Sequence, residues 1–372
     1  MVSPVRIVLK AALLFVLVNL LFAAFDPMPA LGGLSLYNGL LPGRERLPYG
    51  DDPGRAYNLS LYSLEAMFAS HQLHGTPKAA DEYRVLLIGD SSVWGYLLEN
   101  KDTLTSALNA AGLRTADGRR AVFYNLGHPT ISLSKDLLIL DYAIRYQPDL
   151  LIWPLTLEAF PLSKQDSSPL LQHNPQRAEA LIRNHGLPLD PADPAFVRQD
   201  AWGASLLGQR RNLADLLRLQ FYGVLWAATG VDVHIPEQVE RHAIDLEADE
   251  RYGEFLPPEL PETALALDVL AAGIQRAGET PVLLINEPMF VSRGANSDIR
   301  YNSFYPRWAY DQYRQWLQAE AERQSWHYAD LWQAVDNDQF TNTPIHLTPA
   351  GTQQLAQQIA TVLAELFDLE KK

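Results

Sequence analysis

From residue 84 onward the chain alternates between two hydrophobic rhythms. Short, almost unbroken apolar runs at 84–88, 121–126, 150–155, 281–285 and 326–329 end at Gly, Pro or polar residues, as strands buried on both faces require. Between them apolar residues return every three or four positions, the period of a helix face. Leu104, Ala107, Leu108 and Ala111 form one such face ahead of Gly112, which can close the helix in a left-handed cap. Helical stretches are also expected at 133–146, 263–276 and 308–323. A last one begins at Thr348 with Pro349 in its first turn and carries Leu355, Ile359, Val362 and Leu366 on one face. Strands alternating with helices predict an α/β fold: a three-layer, flavodoxin-like sandwich on a five-stranded parallel sheet.

Two segments break this rhythm. Residues 11–25 are apolar except Asn19 and follow Arg6 and Lys10, so residues 1–25 read as a transmembrane signal anchor, with the positive residues on the cytoplasmic side. A cleaved signal peptide fits less well, because Phe22-Ala23-Ala24 matches the small-x-small cleavage pattern poorly. The expectation is a single-pass protein of the cell membrane with its bulk outside the cytoplasm. Residues 26–80, rich in Pro and Gly as far as Gly54, suit a stalk followed by a short helix at 59–71. Residues 81–372 then form the α/β domain. Within it, 161–262 is far too long for a crossover and reads as a large, mostly helical insertion leaving the carboxyl end of the third strand, well placed to wall a crevice. Its most apolar part, 213–229, is either a helix packed on the core or a surface that dips into the bilayer or grips an acyl chain.

Composition narrows the function. A net charge of −14 and no cluster of Lys and Arg argue against a nucleic-acid partner. With no cysteine, thiolate metal sites and disulfides are excluded. His234 and His242 lack metal-ligand spacing with carboxylates, so neither metal nor cofactor is expected.

The chemistry concentrates at two places. Gly89-Asp90-Ser91-Ser92 follows the first strand, where a side chain points into the crevice of an open α/β sheet. Ser91 there can act as a nucleophile, or Asp90 and the serines can simply cap a turn. His346, in a polar loop before the last helix, is available as a general base. With these two blocks at opposite ends, the chain resembles the GDSL/SGNH hydrolase superfamily over about 84–366, the insertion excluded. The resemblance implies Ser91 and His346 as the catalytic pair, and it implies backbone donors to an oxyanion at Ser91 and at Gly127 of YNLGHPT. Two departures follow. The stretch LIWPLTLEAF lacks the Asn of the third family block, leaving Thr156 or a backbone group as a substitute oxyanion donor, and position 343, three before the His, is Thr rather than Asp. Asp338 is then the choice for the acid member, while Asn342 could orient the ring without stabilising its charge.

Glu158 and Glu287 follow strands at the crevice edge but are expected to be solvated or paired. The run NEPMFVSRGANSDIRYNSFYPRWAYDQY suits either a sugar-stacking loop or ordinary packing. Together with the anchor, these features are similar to envelope acyltransfer proteins. They imply a serine esterase or O-acyltransferase acting on acylated carbohydrate or lipid, or else a catalytically degenerate domain that binds polysaccharide or assists envelope assembly. The separation of Ser91 from the His346 ring discriminates between them.

Overall fold

The computed structural model describes residues 3–50, 58–229, 235–236 and 238–371. Residues 51–57 of the expected stalk, and His234, lie outside them. One seven-stranded sheet organises the chain: β1 (Glu82–Gly89), β2 (Leu113–Arg114), β3 (Arg120–Gly127), β4 (Leu150–Leu155), β5 (Val282–Asn286), β6 (His327–Asp330) and β7 (Glu370–Lys371), in the order β6-β5-β4-β1-β3-β2-β7. β6, β5, β4, β1 and β3 pair in parallel, as expected, but β2 and β7 extend the edge antiparallel. The sheet is therefore mixed rather than purely five-stranded. Counted alone, the five parallel strands run 2-1-3-4-5, which puts the topological switch point between β1 and β4.

Alternation along the strands sorts their side chains into two cores. Leu86, Ile88, Leu126, Leu151 and Trp153 face the helices Leu133–Ala143, Leu267–Ala277 and Arg307–Gln324. Val85, Leu87, Phe123, Ile152 and Leu283 face Leu104–Ala111 and Pro349–Phe367. Gly273 lets its helix lie flat on the Trp153 ring, since a Cβ there would come within 2.4 Å of the indole.

The segment expected as a stalk packs on the domain through Leu47 and residues 64–73, while Leu34, Leu36 and Leu40 of its earlier part are exposed. The helices Leu59–Tyr62 and Leu64–Ser70 replace the single short helix, divided at Ser63, whose side chain caps the second by accepting from Ala66 N. Leu47, Leu64, Met67 and Phe68 join the first core. The insertion is pinched at its base, where Ala266 N donates to Phe160 O (2.7 Å) and Pro161 bridges Leu265. It is not mostly helical: its α-helices, Pro169–Gln172, Pro175–His185 and Arg210–Thr229, have 4, 11 and 20 residues, and turns and irregular backbone link them. The last leaves most of its apolar residues outside the core; Asp215, Leu219 and Gly223 alone are buried among its described residues, Leu219 against Leu59 and Ala66. At the amino terminus, Pro4–Phe25 is a single 22-residue helix whose most apolar 18-residue stretch has a mean hydropathy of 2.5, long and apolar enough to cross a membrane.

Candidate active site

β1 ends at Gly89, whose φ of 159° is nearly extended, and the chain turns at once into the short helix Ser91–Trp94. Asp90 caps that turn, its carboxylate accepting from Ser92 N (2.8 Å). The cap reading of this motif is thus correct for Asp90, and it leaves Ser91 free to face the His loop. Ser91 Oγ lies 2.8 Å from His346 Nε2.

The other imidazole nitrogen meets an amide. His346 Nδ1 donates to Asn342 Oδ1 at 2.8 Å, and the same oxygen accepts from Thr341 Oγ1 (3.3 Å). With Nδ1 carrying the proton, the lone pair of Nε2 faces the Ser91 hydroxyl, the tautomer a general base needs. Asp338 is not in this contact. It is exposed on the 3₁₀ turn Asn337–Gln339 and accepts from Gln339 Nε2 (3.0 Å); the residue that meets the ring is Asn342, four residues before the histidine. The loop is braced by Thr343 Oγ1, which accepts from His346 N (3.2 Å), and by His242 of the insertion, whose ring and backbone N–H both meet Thr341 O. Tyr96 stacks on the imidazole with centroids 4.9 Å apart. Burial holds His346 well below the ordinary histidine range, at about 4, against the opposing pull of Asp90.

Gly127 does not present a free donor. Its N–H is taken by Asn125 Oδ1 (3.0 Å), and its missing side chain makes room for the Ser91–Trp94 helix, because a Cβ would lie 2.3 Å from Trp94 N. Its place is structural: β3 ends pressed against the turn that carries Ser91. Three residues on, Thr130 has φ +87°, an outlier for a β-branched residue, and its hydroxyl pairs with Ser168 Oγ at 3.1 Å. The backbone N–H groups of Ser91 and Thr130 make no hydrogen bond among the described residues. Thr156 is buried with its hydroxyl against Tyr305 OH, which commits it to packing rather than to the crevice.

Beneath Ser91 lies a buried polar cluster. Lys135 Nζ, wholly buried, donates to Gly89 O (2.7 Å) and His128 O (2.8 Å) and ion-pairs with Asp136 (2.5 Å), tying the ends of β1 and β3 together. Ser92 Oγ donates to Glu287 Oε2 (2.5 Å). Burial first, and then the nearby Asp90 carboxylate, push Glu287 well above the usual carboxylate range. Glu287 is thus neither solvated nor paired with a cation. Glu158 is paired: it contacts Lys164 Nζ and accepts from Tyr252 OH (3.2 Å). From the other side Arg46, 2% exposed, donates from Nη1 to Gly95 O and Leu98 O, while Trp94 Nε1 donates to Leu47 O. The aromatic run after β5 is packing, not a loop open to sugars: Arg300, Tyr301, Asn302 and Tyr305 are all buried.

Neither Arg46 nor Lys135 was singled out by sequence reasoning. Lys135-Asp136 looks like a solvated pair within an apolar helix, and Arg46 looks like stalk. No group of three or more His, Asp or Glu side chains that could hold a metal occurs among the described residues.

No protein-family model matches the sequence, and no curated protein matches it. Among solved structures, the chain is similar to a carbohydrate acetylesterase family member from Sinorhizobium meliloti, with 14% identity and a TM-score of 0.33 over 77% of this chain and 99% of that one. It is also similar to a member of the lipolytic protein G-D-S-L family from Veillonella parvula, with 10% identity and a TM-score of 0.35 over 77% of this chain and 98% of that one. The solved structures that this chain resembles thus include a GDSL-type lipolytic protein and a carbohydrate acetylesterase family member, at identities and TM-scores that mark wide divergence.

Proposed function

We propose that the chain is a membrane-anchored, extracytoplasmic serine esterase or O-acyltransferase acting on acyl esters of cell-envelope polysaccharide or lipid. The observation that carries this reading is the relay in which Ser91 Oγ, His346 and Asn342 follow one another at 2.8 Å and 2.8 Å. His346 Nε2 takes the Ser91 proton as Oγ adds to the ester carbonyl. The resulting oxyanion is met by the N–H of Ser91 and, in place of Gly127, by that of Thr130. The imidazolium then gives its proton to the departing alkoxide, leaving an acyl-enzyme. Water or a sugar hydroxyl, deprotonated by the same nitrogen, releases the acyl group, and this choice of acceptor alone separates hydrolase from transferase. Asn342 fixes the tautomer but offers the imidazolium no counter-charge, so turnover is slower than with a carboxylate in its place.

A fluorophosphonate probe tests the reading directly. The wild-type chain is expected to be labelled at Ser91, Ser91→Ala should not be labelled at all, and His346→Ala should label at least about 10³-fold more slowly. Labelling that persists in Ser91→Ala would overturn Ser91 as the nucleophile, and a wild type inert to the probe and to a panel of short-chain and long-chain esters would favour the binding or assembly role instead.

A further inference from the structure

The Arg210–Thr229 helix presents two opposite rows of side chains. Asp215, Leu219 and Gly223, four apart, face inward, and Gly223 lies so close to the Tyr37 ring that a Cβ would collide with it at 2.1 Å. The outward row is Leu217, Phe221 and Leu225, with Phe221 74% exposed. A water-facing row should be polar, so this helix has its apolar side in the wrong place for a solvated surface. Beside it Gln220 bonds both Leu36 N (2.7 Å) and Leu34 O (3.3 Å), fixing a loop whose Leu36 and Leu40 are 75% and 87% exposed. Two separate stretches of sequence thus build one exposed apolar surface.

The amino-terminal helix says what covers it. Asn19 is the one buried residue of that helix, with Phe22 and Ala23 of the same face half-buried, and its Oδ1 accepts from Leu207 N at 2.9 Å. Asn19 lies six residues before the end of the helix, or ~9 Å along its axis at 1.5 Å per residue. A helix of 22 residues is ~33 Å long, about the thickness of a hydrocarbon core. The turn holding Leu207 therefore reaches below the outer end of the anchor, into the level of the headgroups and first methylenes. It is built for that depth. Gly203, Ala204, Ser205, Gly208 and Gln209 all direct their N–H groups to acceptors within residues 200–205, so the irregular backbone has little need of water. Trp202 projects from the same turn, in keeping with the preference of Trp for membrane interfaces. The helix that follows carries three arginines against one aspartate in a chain of net charge −14, the sign that suits anionic headgroups.

We infer that the 201–229 part of the insertion, together with the Leu36–Leu40 loop, is seated in the outer leaflet of the bilayer alongside the anchor. The inference rests on the anchor reading above, and the experiment separates the two. Because the chain has no cysteine, single cysteines can be placed in the full chain at Leu14→Cys, Phe221→Cys, Leu36→Cys and, as a water-facing reference, Leu366→Cys. Each is labelled with bimane and reconstituted in phosphatidylcholine and phosphatidylglycerol vesicles. Fluorescence quenching by nitroxide lipids of shallow and deep position is then compared with quenching by aqueous iodide. The expected result is deep-lipid quenching at position 14, shallow-lipid quenching at 221 and 36 several-fold above that at 366, and iodide quenching dominant at 366. If 14 is quenched by lipid while 221 and 36 both behave like 366, the inference is overturned and the anchor stands. If 14 also answers only to iodide, the anchor reading fails and the inference falls with it.

Discussion

Asn342 fills with an amide a place that a carboxylate serves better. At 2.8 Å from Nδ1 it orients His346, while the cost of charging a buried imidazole goes uncompensated and the ring is held at about 4. Asn342→Asp should supply that compensation, raising the histidine towards and beyond its ordinary value. The acid limb of kcat/KM is then expected to move from about pH 4 to higher pH, with a gain of at least about tenfold on its plateau. Unchanged profiles would show that Nδ1 is not what limits the base. The pairing of Ser91 with His346 was legible in the sequence because each residue sits in a short block at a fixed place in the fold. Its third member was not, because the loop carries one more residue than the spacing assumed, and Thr343 and Pro344 route the chain so that position 342 faces the ring. Gly127 misled for a related reason: a conspicuous glycine signals close approach of backbone as readily as an oxyanion donor.

Strands buried on both faces were readable at the level of elements, since such burial demands continuous apolar runs, and the bounds of β1, β3, β4, β5 and β6 fall within two residues of expectation. β2 and β7 were not readable. Two residues each, Leu-Arg and Glu-Lys, carry no period, and only the closing of the chain beside β3 makes them strands. The contact between the end of β3 and the Ser91–Trp94 helix is the joint on which the site depends. Gly127→Ala should force those elements apart, since its Cβ would meet backbone rather than a movable side chain. A loss of at least about 2 kcal/mol in urea unfolding is expected, a large effect for one methyl group, together with activity reduced by more than tenfold. Wild-type stability in this variant would mean that the joint is loose.

For the molecule as a whole, the buried titratable groups set how stability answers to pH. Burial holds His71 and His346 at about 4, and burial with Lys135 nearby holds His128 at about 3, all below the ordinary 6.5. Between these values the unfolded chain binds the protons that the folded chain refuses. Their contribution is therefore complete above pH 6.5 and is lost as the pH falls towards 4, by on the order of 3 kcal/mol for each. Glu287 and Asp136, both raised chiefly by burial, act oppositely: their share is present below the ordinary carboxylate range and is lost as the pH rises. In Glu287→Gln the carboxyl part of this balance is reduced to Asp136. The urea midpoint of the variant should exceed that of the wild type at pH 8, converge with it near pH 4.5, and so fall more steeply on acidification. Parallel curves would remove Glu287 from the account.

The strap from Arg44 to Gly50 joins these scales. It runs to the turn that carries Ser91, where Arg46 holds Gly95 and Leu98 and Leu47 holds Trp94, while Asn19 ties the amino-terminal helix to the insertion. A catalytic head on a loose tether would sweep a volume above the bilayer, and its encounters would follow tether length. This head has no such freedom. On the proposed function, with the amino-terminal helix in a bilayer, Ser91 would work at one fixed height, and the rate should follow the number of acyl groups per unit area of membrane rather than their concentration in the surrounding volume.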